Sequence, residues 1–122
     1  MLITIPGNPK PKQRPRMGRG GHFYSPSSAD EVRAGKEIYL QFAIKRKGGL
    51  WDTTKPITIK IHFHYKSGRG RTPDVDNLLK FALDAIEKSG IVKNDRLITV
   101  KEMTYDCSKA ENPRTEIEIE EG

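Results

Sequence analysis

From residue 57 the chain reads Ile-Thr-Ile-Lys-Ile-His-Phe-His-Tyr, apolar or aromatic at every odd position and polar at every even one. That two-residue period predicts a strand over 57–65 with one face in a core and the other wetted. Arg114-Thr-Glu-Ile-Glu-Ile-Glu120 alternates in the same way and predicts the last strand, read as an edge strand with its glutamates in water. Asn112-Pro113 supplies the turn before it. Shorter apolar runs predict two more strands, one over residues 2–5 stopped by Pro6-Gly7, the other beginning at residues 97–100.

Two segments follow the helical period instead. Ser28-Ala-Asp-Glu31 fits a capping box, in which the serine and glutamate side chains satisfy backbone donors reciprocally. Val32, Ile38, Tyr39, Phe42 and Ala43 then fall roughly on one side. Lys45-Arg46-Lys47 suits the negative end of the helix dipole, and Gly48-Gly49 ends the helix. A second helix is predicted from about residue 75 to 88, with Val75, Leu79, Ala82, Leu83 and Ile86 as its buried stripe and Gly90 as its stop. The order strand, helix, strand, helix, strand, strand predicts an α/β fold of mixed α+β type: one four-stranded mixed sheet with two helices packed on it. The short connection between the last two strands predicts a hairpin there.

At 122 residues the chain suits one domain, residues 1–122, with a single modest core. The lone Cys107 has no partner for an internal disulfide. No apolar run is long enough for a signal peptide or a membrane span. The expected setting is the cytoplasm, with no membrane partner.

Charge changes the picture more than composition does. The net charge is +6, yet residues 1–72 hold 15 Lys and Arg against 4 Asp and Glu, and residues 73–122 hold 7 against 12. A polyanion is drawn to the first part, because each phosphate neutralised releases condensed counterions. The focus is residues 8–26, with five cations (Lys10, Lys12, Arg14, Arg16, Arg19), four prolines, three glycines and no acid. That composition excludes a helix interior or a central strand and predicts an extended, phosphate-gripping arm. Arg69 and Arg71, in the Lys66-Ser-Gly-Arg-Gly-Arg-Thr72 turn, extend the candidate DNA-binding set.

The candidate chemistry starts where the charge changes sign. Asp74 and Asp76 stand two apart at the entrance of the second helix, Lys80 lies one turn further in, and Asp95 follows the helix. Carboxylates in this number suit Mg²⁺, which wants hard oxygen ligands and keeps several waters. Lys80 could contact a phosphate or orient a water; equally, it could pair with Asp76 and Asp84 as an ordinary helix-surface ion pair. An Asp-x-Asp alone is a weak signal. His62 and His64 share the polar face of their strand, but no third ligand lies near them in sequence.

Together the residues carry a resemblance. Asp74-Val-Asp-Asn-Leu-Leu-Lys80, followed by Asp84-Ala85, Gly90-Ile91 and Asn94-Asp95, resembles the signature of the RusA family of Holliday junction resolvases. Pro6-Gly-Asn-Pro and Lys12-Gln-Arg-Pro-Arg16 resemble members from Gram-positive bacteria and their phages. The resemblance implies that Asp74, Asp76 and Asp95 bind metal and are catalytic, with Lys80 as the catalytic lysine. It makes Asn77 and Asp84 supporting residues behind that site. It further implies a homodimer dependent on Mg²⁺ (Mn²⁺ substituting), often prophage-encoded, that makes paired nicks in four-way DNA junctions. Asn94 stands where many members have a second acid. Two other readings remain open at this stage: a nuclease for other branched DNA, and a non-catalytic basic protein that binds nucleic acid.

Overall fold

The computed structural model describes residues 1–13, 16–24, 26–47, 50–66, 74–107 and 112–121. The main sheet is built from β1 (Leu2–Pro6), β4 (Ile57–His64), β5 (Ile98–Asp106) and β6 (Arg114–Glu121), and the helices are α1 (Ser28–Arg46) and α2 (Val75–Ser89). The sheet order is β1-β6-β4-β5. β6 runs antiparallel to both β1 and β4, and β5 runs parallel to β4. The expected mixed four-stranded sheet with two helices is the observed architecture. The arm adds a separate two-stranded ribbon of β2 (Arg16–Met17) and β3 (Phe23–Tyr24), where an extended loop was expected.

β4 is the spine of the molecule because its alternation is complete. Ile57, Ile59, Ile61 and Phe63 are buried against the helices, while Thr58, Lys60, His62 and His64 lie on the opposite face. A strand with this apolar load needs a neighbour on each side, and it takes β5 on one and β6 on the other. The last two strands therefore do not form the expected hairpin. The residues between Asp106 and Arg114 can reach roughly 20 Å, ample to cross the ~10 Å width of one intervening strand. Nor is β6 an edge strand: Ile117 and Ile119 are buried, and only the outer row of glutamates keeps its expected polar face.

The helices depart from their predicted stripes for identifiable reasons. On α1 the buried residues are Glu31, Ala34, Gly35, Ile38 and Phe42, and Val32, Tyr39 and Ala43 are exposed. Glu31, expected as a capping partner at the helix entrance, is buried instead, and small residues let α2 approach closely. A Cβ on Gly35 would lie 3.0 Å from the Ala85 carbonyl oxygen and 3.0 Å from the Ser89 nitrogen. The N-cap is Ser27 rather than Ser28, and its hydroxyl donates to the Glu31 side chain (3.1 Å) instead of capping backbone. Lys47 takes the left-handed C-cap conformation (φ 57°); Gly48 and Gly49 lie outside the described residues. On α2 the buried set is Leu78, Phe81, Ala82, Ala85 and Ile86, with Leu79 and Leu83 packed at its margin. Gly90 closes α2 at φ 82°, a conformation open to glycine at little cost.

Among the described residues, no helix is long and apolar enough to cross a membrane.

Candidate active site

Asp74 is the N-cap of α2. Its backbone is still extended, and its carboxylate accepts the Asp76 N–H at 3.0 Å. An aspartate is favoured here because the first turn leaves backbone donors unsatisfied. Asp76 follows in the first turn, where the helix dipole favours negative charge. Asp74, Asp76 and Lys80 are all exposed. Among the described residues no ion pair joins Lys80 to Asp76 or Asp84, so the helix-surface pairing left open above does not form; Asp84 pairs with Lys12 instead (2.9 Å).

The arm is moored beside this helix entrance. Asn8 closes a two-way bond with the Lys66 backbone, donating to its carbonyl (3.1 Å) and accepting its N–H (2.8 Å). The Lys12 N–H donates to the Asn77 carbonyl at 2.9 Å. Residues 8–12 therefore run from the exit of β4 to the first turn of α2. Lys10 pairs with Asp30 at 3.0 Å and remains half exposed. Arg16 and Arg19 are exposed. Arg14, Arg69 and Arg71 lie outside the described residues.

Lys12 has an occupation that sequence reasoning missed. Its ammonium contacts Glu31 (2.5 Å) and Asp84, and Lys88 reaches the other Glu31 oxygen at 2.6 Å. Glu31 is fully buried. Burial alone would raise its carboxyl pKa, but hydrogen bonds from Lys12, Lys88 and Ser27 outweigh burial and hold it below the ordinary range. Burial likewise opposes the Lys12 ammonium, and bonds to Asp84 and Glu31 overcome it and raise that pKa. The network ties arm, α1 and α2 at one point. The pairing of Lys12 with an acid on α1 left no periodic trace in the sequence.

Asp95 opens a 3-10 turn, Asp95–Leu97, capped by the Asn94 side chain accepting the Arg96 N–H (2.9 Å). So the Asn94 side chain orders the turn that carries Asp95. Trp51 fixes this region by donating from its indole to the Ile91 carbonyl (2.6 Å), and the Lys93 N–H donates to the Thr53 carbonyl (2.8 Å). The Trp51 ring also packs edge-on against Phe42 and beneath the Arg46 guanidinium.

Among the described residues, Asp74, Asp76 and Asp95 do not form a cluster of carboxylate oxygens within 4.8 Å of one another. Among the described residues, the acids that converge are Asp84, Glu87 and Asp95, their nearest oxygens all within 4.8 Å of one another. Asp74 lies ten residues before Asp84, about 15 Å along a helix. Glu87 was not anticipated, although its three-residue spacing from Asp84 put both within reach of a returning turn. His62 bonds to Thr104 and His64 to Glu116 (2.9 Å), and among the described residues neither belongs to an acid or imidazole cluster.

The sequence model described as Endodeoxyribonuclease RusA matches residues 6–120, nearly the whole chain. The chain belongs to the RusA endodeoxyribonuclease family. A comparison with curated proteins finds no match. RusA proteins resolve Holliday junctions and are generally dependent on a divalent metal. The carboxylates at both ends of α2 are hard oxygen donors of the kind such a metal takes.

Proposed function

We propose that this protein is a Mg²⁺-dependent endonuclease that resolves four-way DNA junctions as a homodimer, with Asp74, Asp76 and Asp95 as metal ligands and Lys80 at the phosphate. The observation that carries the reading is the mooring of the basic arm at the α2 entrance, beside two exposed aspartates and an exposed lysine that makes no ion pair among the described residues. DNA held along the arm passes over that entrance.

The separation of Asp95 from Asp74 gives the dimer a chemical purpose. Asp95 clusters with Asp84 and Glu87 of its own chain, so in this reading a complete set of ligands takes Asp95 from a second copy. An isologous dimer supplies two such sites related by a two-fold axis, matching the symmetry of a four-way junction. Asp74 and Asp76 of one copy with Asp95 of the other would hold the ion, which would supply a water of lowered pKa and positive charge at the phosphoryl oxygens. Asp74 is aimed by its own cap bond, and Asp76 is held by the first turn of α2. Lys80, one turn on, presents a point charge to a phosphate oxygen. The Asn94 cap orders the turn that Asp95 opens, and Trp51 anchors the segment before it through Ile91.

Cleavage of a synthetic four-way junction, with and without Mg²⁺, tests the reading. Paired nicks dependent on the ion are expected. Binding without nicking would make the protein a binding module, and faster cutting of flaps or forks would leave a nuclease of different substrate.

A further inference from the structure

The ribbon in the arm displays something that phosphate binding does not need. β2 and β3 close through a turn in which the Gly18 N–H donates to the His22 carbonyl (2.7 Å) and the Gly21 N–H to the Gly18 carbonyl (3.3 Å). Met17 and Phe23 are direct cross-strand partners. Residues opposed in an antiparallel ladder share a face, so these two side chains stand together. They are 65% and 71% exposed. Around them stand Arg16, Arg19 and His22, also exposed. A two-stranded ribbon is marginal in water, and an apolar pair left wet adds little to it.

We propose that the Met17–Phe23 pair is a wedge that enters DNA at the branch point and stacks on a base displaced there, while Arg16 and Arg19 hold the flanking phosphates. The proposal rests on the nuclease reading and adds how a branched substrate is distinguished from duplex. An aromatic face accepts any base, and the methionine thioether adapts to whatever lies beside it. Apolar side chains inserted between base steps unstack and kink a duplex, at a cost lowest where pairing is already interrupted. Charge decides between DNA and a second copy as the occupant. The tip is basic and so is the rest of the arm, and the whole chain carries +6, so a polyanion complements it better than another copy.

Permanganate oxidation of thymines at the crossover of a four-way junction reads the wedge directly, using Asp76→Asn protein to bind without cutting. The protein should make those thymines reactive. Adding Met17→Ala and Phe23→Ala should abolish the reactivity while junction affinity and the melting temperature change little. In the otherwise intact chain the same pair of substitutions should slow junction nicking by about tenfold, the loss of one stacked base. A junction with unpaired bases at the crossover should recover the rate, and Phe23→Tyr should retain it. Unchanged thymine reactivity and rate in the double variant would overturn the wedge alone. Loss of dimerisation by sedimentation, with DNA opening intact, would assign the pair to a second copy. An intact chain that nicks no branched DNA would remove the nuclease reading and the wedge with it.

Discussion

Glu31 shows how one residue can escape a sequence pattern and still organise the molecule. The helical period treats it as a polar flank or a capping partner. The fold buries it and meets it with two ammonium groups, one from the arm and one from α2. Glutamine keeps one acceptor oxygen but sets an amide NH2 donor against one of the two ammonium groups. It also removes the charge both pair with, although Lys12 keeps Asp84 and both lysines can turn toward solvent. Glu31→Gln should therefore cost about 2–4 kcal/mol, read from denaturant midpoints. The pH dependence has a definite sign. The Glu31 pKa in the folded protein lies below its ordinary 4.5, so its stabilisation is present above that value and is lost as pH falls through the depressed one. The raised Lys12 pKa places the opposite boundary above 10.5. The stability gap between the parent and Glu31→Gln should thus be flat near neutrality and close in acid; a gap undiminished at pH 3 would show that Glu31 is not ionised by this network.

At the scale of elements, α2 was the most legible part of the chain. Its cap at Asp74, its stop at Gly90 and its length were all written in local residue chemistry. Strand existence was legible too, because alternation in β4 and β6 is strong. Strand neighbours were not: a connection long enough to cross one strand leaves hairpin and crossover equally open, and only the demand of β4 for partners on both sides decides. The α1 face was obscured because its contact with α2 depends on Gly35, which carries no hydrophobic signal. Gly35→Ala should push the helices apart and lower stability by roughly 1–3 kcal/mol, seen as an earlier urea midpoint. An unmoved midpoint would mean the helices yield without loss. Asp76→Asn, by contrast, alters an exposed first-turn residue and should leave folding intact. It should reduce nicking by at least about a hundredfold while junction binding holds or tightens, because a charge facing the phosphates is lost.

At the scale of the whole molecule, the candidate site was readable as a set of residues and unreadable as a place. Motif spacing named Asp74, Asp76, Lys80 and Asp95, but the helix between them puts the last acid beside Asp84 and Glu87. Sequence spacing cannot say whether two groups meet within a chain or across two. The proposed dimer resolves this by pairing the α2 entrance of one copy with the Asp95 turn of the other.

Mixing two inactive variants, Asp76→Asn and Asp95→Asn, tests that arrangement most directly. Half of randomly reassorted dimers are mixed, and each mixed dimer holds one site built from Asp76 of one copy and Asp95 of the other. Single nicks in a four-way junction should reappear at about one quarter of the parent's site density. If both variants are folded, bind the junction and exchange subunits, yet the mixture nicks nothing, the shared site does not exist.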